Sequence, residues 1–193
     1  RGSSLLESGL PYRHSSNWVS TGTISRLSLA KRKLVEMPEF PDIAVYVDCI
    51  EHKAGDQKVS KARIANPFLV RSIDPPVGSL EGKSLRSAIR LGKRIILEFS
   101  GETFLVIHLM IAGRLHWKDP GAPLKGKQNL AALDFPEGSL ILTEAGSKRR
   151  ASFHLVSGKG ALHEFDPGGI DVMGCDAKTF IAQLTASNHT VKR

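Results

Sequence analysis

The sequence predicts a mainly β fold with flanking helices, in which an antiparallel β-sandwich or flattened barrel follows an N-terminal helix. Short apolar or alternating runs recur between residues 62 and 165, and clusters of Gly, Pro, Asp or Ser separate them. That spacing is typical of antiparallel strands joined by turns. Hydrophobic residues make up 41% of the chain and charged residues 24%, the ordinary balance of a globular domain.

The first 36 residues differ from the remainder of the chain. They contain six Lys and Arg residues against two Glu, a net charge of +4, and no acidic residue from position 9 to position 35. This composition cannot form a packed core, so we expect residues 1–36 to be a disordered lead outside the folded domain. A translated upstream region or a wrongly placed start is the favoured origin. An organellar transit peptide is the alternative.

The whole chain carries +8, which leaves +4 on residues 37–193. A basic chain favours a polyanionic partner, nucleic acid first, although this body is only mildly basic. The longest apolar stretch, Phe104–Gly113, is too short for a membrane span and His108 interrupts it. The two cysteines, Cys49 and Cys175, form no Cys-x-x-Cys pair, so we expect no zinc site in this chain.

The local pattern of apolar and capping residues predicts each helix and strand. The apolar run over residues 43–54 predicts a helix capped by Asp42, with a strand as the alternative because several of its residues are β-branched. Residues 176–184 predict a second helix with Asp176 as its cap and an apolar face. The runs that predict strands between the helices are Ala62–Ser72, Ser84–Ser100, Thr103–Trp117, Asn129–Phe135, Ser139–Thr143, Ala151–Val156 and Ala161–Phe165.

The segment Met37–Asp42 carries the strongest chemical signal. At a free N-terminus, the nitrogen of Pro38 would be a secondary amine able to attack an aldehyde-like carbon and form a covalent iminium. The carboxylate of Glu39 follows directly and can move protons during such a step. The segment resembles the N-terminus of the formamidopyrimidine-DNA glycosylase / endonuclease VIII family, Met-Pro-Glu-Leu-Pro-Glu.

Two more segments resemble motifs of that family, in the same order. Leu91–Phe99 is similar to the strand Arg-Arg-Ala-Lys-Tyr-Leu-Leu-Leu-Glu. The resemblance implies that Lys93 lies beside the nucleophile, contacts a phosphate and assists elimination; alone, Lys93 would be a solvated surface lysine. His108–Leu115 is similar to His-Leu-Gly-Met-Ser-Gly-x-Leu. There Ile111 takes the place of the apolar wedge that enters the duplex, and His108 faces phosphate or is a hydrogen-bonded core histidine.

A fourth segment, Lys148–Phe153, resembles the loop Asp-Pro-Arg-Arg-Phe-Gly that fills the space left by a flipped base. Arg149 and Arg150 match, whereas Ala151 replaces the aromatic residue and puts recognition of the opposite base in doubt. Without the other motifs these residues would form a solvated basic turn. Lys127, in the loop before residue 129, is a further candidate phosphate contact.

Phe165–Asp171 resembles the linker Leu-Gly-Pro-Glu-Pro-Leu that ends the family's first domain. The resemblance divides the chain into the lead, a catalytic β-sandwich over residues 37–172, and a helix and linker over residues 173–193. These last residues would enter a helix–two-turn–helix domain that the chain does not contain. We therefore expect no cofactor here, and a zinc ion only in the C-terminal finger of a full-length family member.

The resemblance implies a base-excision repair DNA glycosylase with associated AP lyase activity, which removes oxidised or ring-opened bases through a Schiff base at an N-terminal proline. The expected partner is damaged double-stranded DNA. We expect a monomer without a membrane, in a bacterial-type cytoplasm or nucleoid, or in an organelle if the lead is a transit peptide. Because the lead blocks Pro38, we expect this chain to be inactive. The alternative is a non-catalytic β-sandwich that binds nucleic acid by charge.

Overall fold

A computed structural model describes residues 37–186, and within them two α-helices flank eight antiparallel strands. The mainly β prediction is therefore confirmed. The helices are α1 (Phe40–Ala54) and α2 (Ala177–Thr185); the strands are β1 (Lys61–Ile64), β2 (Leu85–Leu91), β3 (Arg94–Phe99), β4 (Thr103–His108), β5 (Gly113–Lys118), β6 (Asn129–Phe135), β7 (Gly138–Glu144) and β8 (Ser152–Ser157). Three short 3-10 helices cover Pro67–Leu69, Val77–Leu80 and Lys159–Phe165.

The strands form two four-stranded sheets, in the orders β1-β6-β7-β5 and β2-β3-β4-β8. Side chains alternate between the two faces of a strand, and the inward-facing set is apolar. On β3 and β4 the inward-facing Ile95, Leu97, Leu105 and Ile107 are completely buried. The core between the sheets therefore excludes water and fixes where the connecting turns lie.

Helix α1 begins earlier than the sequence predicts, at Phe40. Its N-cap is Glu39, and the side chain of Asp42 accepts a hydrogen bond from the Glu39 backbone N–H at 2.9 Å. Asp42 as the cap residue is thus wrong, because Pro41 fits the first helical turn, where its missing N–H is not needed. Ile43 and Ile50 are buried at helical spacing, which rules out the alternative strand.

Two predicted strands have another structure. The run Ala161–Phe165 belongs to a 3-10 helix instead of a strand. Of Ala62–Ser72 only the beginning is a strand, because Pro67 opens a 3-10 turn after Asn66. The chain then runs beside the free edge of β8: Arg71 N–H donates to Phe153 O at 2.8 Å, and Leu155 N–H donates to the Ser72 hydroxyl at 2.7 Å.

Helix α2 begins as predicted. The Asp176 side chain accepts a hydrogen bond from the Thr179 backbone N–H at 2.6 Å, and that bond lowers the Asp176 pKa. Its predicted apolar face is exposed, with Phe180, Ile181 and Leu184 each at least 36% accessible. Over residues 37–186, no helix is both long enough and apolar enough to cross a bilayer. The predictions for residues 1–36 and for residues 187–193 lie outside the described residues.

An ion pair ties three strands of the first sheet. Arg63 of β1 donates to both carboxylate oxygens of Asp134 on β6, at 2.6 and 2.7 Å, and the Ser139 hydroxyl of β7 donates to the same carboxylate at 2.5 Å. The Asp134 side chain is 10% exposed and that of Arg63 is 22% exposed. The pair is therefore largely removed from water.

Replacing Asp134 with Ala should destabilise the fold by roughly 3 kcal/mol, because Arg63 and Ser139 would remain partly buried without their shared acceptor. Urea unfolding of the variant and the parent chain measures this difference. Arg86→Ala is the matched control: its ion pair with Asp56 is solvent-exposed, so its loss should cost about 1 kcal/mol or less. Equal costs for the two variants would contradict the account of this pair.

Candidate active site

The predicted functional residues lie at one end of the sandwich. Arg94 at the start of β3 pairs with His108 at the end of β4, and His108 pairs with Ser152 at the start of β8. In the other sheet Gly113 at the start of β5 pairs with Glu144 at the end of β7. The turns that carry Lys93 and Ile111 and the loop over residues 145–151 therefore leave the sheets at the same end.

The structure brings Glu39 and Lys93 into direct contact. Lys93 Nζ lies 2.9 Å from one carboxylate oxygen of Glu39 and 2.7 Å from the other. Both side chains are about half exposed, at 47% and 56%, so the pair contributes at most about 1 kcal/mol to stability. A competing anion can therefore displace Glu39 from Lys93 at little cost. Lys93 stands in the turn before β3, rather than on the strand itself.

Pro38 immediately precedes this pair and is buried. In the chain as printed, its nitrogen forms the peptide bond with Met37, and an amide nitrogen has its lone pair delocalised into the carbonyl. That nitrogen cannot attack carbon. Pro38 is thus next in sequence to Glu39, which contacts Lys93, but its nitrogen has no nucleophilic character in this chain.

Arg90 holds the start of α1 against the segment that follows the sandwich. Its guanidinium lies 4.3 Å from the centre of the Phe40 ring and 3.2 Å from the Asp171 carboxylate. A cavity of about 480 Å³ lies between Phe40, the end of β2 and residues 166–173. Pro167 approaches Gly92 so closely that a Cβ on Gly92 would lie 2.9 Å from its Cγ. These contacts position Glu39 and Lys93 relative to each other.

His108 is half-buried and is surrounded by cations. Its pKa is lowered by burial first, then by Arg94, His154 and Lys93. Its side chain makes no hydrogen bond with another residue of the described part of the chain, and its role in binding phosphate stays a prediction. The imidazole is neutral near pH 7, and an approaching phosphate would favour its protonation.

Ile111 lies in the turn between β4 and β5 and is 42% exposed. Met110 before it has a positive φ of 53°, and Gly113 N–H donates to Leu109 O at 2.9 Å. A side chain on Gly113 would place its Cβ 2.3 Å from that carbonyl oxygen, so the tight turn requires glycine. An apolar side chain is thus presented to solvent on a fixed turn.

A cavity of about 370 Å³ separates Ile111 and Ala112 from the loop that contains Lys148 and Arg150. Ile111 and Arg150 therefore line opposite sides of the same cavity. Lys127 and Arg149 are exposed, and neither side chain makes an ion pair or hydrogen bond with any residue between 37 and 186. Ala151 is 3% exposed and packs in the core, so it leaves no side chain at the position of the family's aromatic residue.

Glu144, which organises this loop, was not predicted from the sequence. The residue is only 1% exposed, and its carboxylate accepts the backbone N–H of Arg150 at 2.9 and 3.0 Å and that of Ala151 at 3.1 Å. The available signal was a single acidic residue at the end of an apolar strand, directly before a Gly- and Lys/Arg-containing turn. Within residues 37–186, no three His, Cys, Asp or Glu side chains converge as metal ligands.

Replacing Glu144 with Ala should destabilise the protein by at least about 2 kcal/mol, because the buried N–H of Ala151 and the partly buried N–H of Arg150 would lose a charged acceptor. Glu144→Gln retains one acceptor oxygen and should cost less. Urea unfolding measures both, and amide hydrogen exchange at Arg150 and Ala151 reports the loop directly. Slow exchange of these amides in the Ala variant would contradict the assignment.

Comparison with known proteins identifies the family of this domain. The sequence model for the formamidopyrimidine-DNA glycosylase N-terminal domain matches residues 37–152. The formamidopyrimidine-DNA glycosylase of Moorella thermoacetica is 31% identical over 90 residues, which are 46% of this chain and 33% of that protein. The same enzyme of Solibacter usitatus is 31% identical over 111 residues, 56% of this chain and 40% of that protein.

Solved structures show the same fold. A complex of Lactococcus lactis Fpg with DNA containing an abasic site superposes with a TM-score of 0.61 at 23% identity, over 66% of this chain and 47% of that one. A complex of the same enzyme with Fapy-dG DNA gives a TM-score of 0.60. The chain spans less than half the length of these relatives. Because the matched domain covers more than half of the chain and the fold agrees, the chain belongs to the formamidopyrimidine-DNA glycosylase family through its N-terminal domain.

Proposed function

We propose that this chain provides the catalytic β-sandwich of a base-excision repair DNA glycosylase with AP lyase activity, acting on damaged bases in double-stranded DNA. The observation that carries the proposal is the contact of Glu39 with Lys93, directly after Pro38, at the end of the sandwich that also presents Ile111 and Arg150. A latent amine, a carboxylate and an exposed cation are the groups that Schiff-base chemistry at a sugar requires.

The mechanism begins with extrusion of the damaged nucleotide from the duplex. Ile111 enters the space left in the stack and offsets part of the lost stacking energy, which amounts to a few kcal/mol per step. The freed Pro38 nitrogen attacks C1′ of the sugar, and the base leaves with the bonding electron pair. The nitrogen then gives its proton to Glu39, which returns a proton to O4′ as the C1′–O4′ bond breaks, and the Schiff base results. Loss of a proton from C2′ expels the 3′-phosphate and cleaves the strand.

Lys93 exchanges one anionic partner for another during these reaction steps. In the free protein it pairs with Glu39, and the pair is solvent-exposed and weak. A backbone phosphate that binds Lys93 would release the Glu39 carboxylate for proton transfer. The two roles are therefore coupled: phosphate binding at Lys93 frees the general acid–base group beside the nucleophile.

The relatives support DNA as the partner. The Lactococcus lactis enzyme of the same fold has been crystallised with an abasic-site DNA and with a Fapy-dG DNA. The second candidate function is non-catalytic binding of nucleic acid, and two observations favour it. Pro38 is buried with an amide nitrogen, and Ala151 leaves the opposite base without an aromatic partner.

Removing residues 1–37 should create activity that the longer chain lacks. A free α-amino group has a pKa near 8, so a useful fraction is unprotonated at about pH 7, whereas the amide of the longer chain is inert. The measurement is borohydride trapping on abasic-site DNA. It compares two proteins that both carry the family's C-terminal domain, one beginning at residue 1 and the other at Pro38. Glu39→Gln in the shorter protein is the control for proton transfer. Equal trapping by the two proteins would reject Pro38 as the nucleophile. Trapping by neither protein would favour the non-catalytic function.

Replacing Lys93 or Arg150 with Ala should weaken binding to every duplex, damaged or intact, because each side chain would lose one phosphate contact. The slope of log K against log salt should fall by about one unit for each variant. Fluorescence anisotropy over a salt series measures this slope. Lys159→Ala is the matched control, since Lys159 is an exposed cation at the opposite end of β8. An unchanged slope in both test variants would show that Lys93 and Arg150 are surface residues without phosphate contacts.

A further inference from the structure

A row of basic side chains crosses the outer face of the second sheet beside Lys93. Arg94 of β3 lies opposite His108 of β4, and His108 lies opposite Ser152 of β8. His154 is two residues beyond Ser152, so it shares a face with His108. Arg71 follows on the segment that runs along the edge of β8. Four consecutive elements thus each contribute one basic residue.

Hydrogen bonds and a ring contact hold parts of this row in place. Arg94 donates a hydrogen bond from its guanidinium to Phe165 O at 2.9 Å. The Phe165 ring packs edge-on against the His154 ring, with centroids 5.0 Å apart and planes at 62°. Arg71 is fixed through its backbone N–H, which donates to Phe153 O at 2.8 Å. The Arg94 guanidinium, the His154 ring and the backbone of Arg71 are therefore held in place without a ligand.

The positive charge of this row has no acidic partner within residues 37–186. The ion pairs of this part of the chain involve Arg63, Arg86, Arg90 and Lys93, and neither Arg71 nor Arg94 takes part in one. The charged groups that face His154 are Arg71 and Arg94, and those that face His108 are Arg94, His154 and Lys93. Arg71 and Arg94 are positively charged, so their field disfavours protonation of the two rings when no anion is bound.

We propose that Arg71, Arg94 and His154 form a phosphate-binding row that extends the DNA contact from Lys93 and His108 along the outer face of the sheet. This proposal rests on DNA as the partner in the proposed function. Neighbouring strands lie about 4.8 Å apart, so four elements span roughly 14 Å, more than one phosphate group covers. The ligand is therefore a phosphodiester backbone rather than a single anion.

Binding to this row should consume protons. Burial and neighbouring cations lower the pKa of His108 and that of His154 in the free protein, so both rings are neutral near pH 7. A phosphate placed between them reverses the local field and raises both pKa values. Affinity for DNA should therefore increase as the pH falls through the raised pKa values of the bound rings, and should level off below the lowered pKa values of the free protein.

The test uses the full chain and an undamaged duplex of about 20 base pairs, with anisotropy titrations between about pH 5.5 and 7.5 at constant ionic strength. His154→Gln should reduce proton uptake by about one proton, and Arg71→Gln and Arg94→Gln should each lower the salt slope by about one unit. Arg94→Lys should restore the slope. His116→Gln is the matched control, because His116 also has a lowered pKa but lies on β5 of the other sheet.

Unchanged proton uptake in His154→Gln, or unchanged salt slopes in both arginine variants, would overturn the proposal. A second arm follows the histidine ring resonances by NMR during titration with inorganic phosphate. The histidine shifts should saturate at a much lower phosphate concentration with the duplex than with inorganic phosphate. Saturation at the same phosphate concentration would indicate a single-anion site and would also overturn the proposal. Neither arm needs a lesion or Pro38, so absence of borohydride trapping would reject the proposed function while leaving this row intact.

Discussion

Antiparallel pairing of neighbouring strands is the constraint from which the site follows. The register of these pairs brings three connections to one end of the sandwich: the turn with Lys93, the turn with Ile111 and the loop with Arg150. The inward-facing apolar side chains fix the register, because a slip by one residue would expose them all. Three separate parts of the sequence are thereby gathered into one surface.

That surface combines parts of different rigidity. Glu144 is buried and anchors its loop with charge-assisted hydrogen bonds, each contributing about 1.5–3 kcal/mol. Glu39 and Lys93 are exposed, and their ion pair contributes about 1 kcal/mol or less. The loop that would contact the duplex is therefore fixed in advance, whereas the pair that would handle protons and phosphate can separate. Such a division suits a site that must bind first and rearrange afterwards.

Much of this arrangement could be predicted from the sequence. Alternating apolar runs between turn residues predict the sandwich, and Asn129–Phe135 is a strand with the predicted bounds. The local signals failed where a distant partner decides the structure. Residues 161–165 have a strand-like composition but close a 3-10 helix over the outer face of the sheet, and Asp42 caps from within the helix because Pro41 occupies its first turn. The roles of Pro38, Glu39 and Lys93 stay predictions.

The role of Glu144 and the assembly of the basic row could not be predicted from the sequence, for the same reason. Each depends on which residues face each other across strands, and the register of a sheet is not visible in the order of the residues. Arg71, Arg94 and His154 are far apart in the chain. The pairing of β3, β4 and β8 places Arg94 and His154 on one face, and the segment beside β8 brings Arg71 to them.

The central claim is that DNA binds at the end of the sandwich where Lys93, Ile111 and Arg150 meet. The most direct measurement is NMR mapping of backbone amides in the isotope-labelled chain during titration with a duplex that contains an abasic-site analogue. The account predicts that the shifted amides cluster in the turns at residues 92–93 and 109–112 and in the loop at residues 145–151. Shifts concentrated in the opposite turns, at residues 100–102 and 136–137, would contradict it.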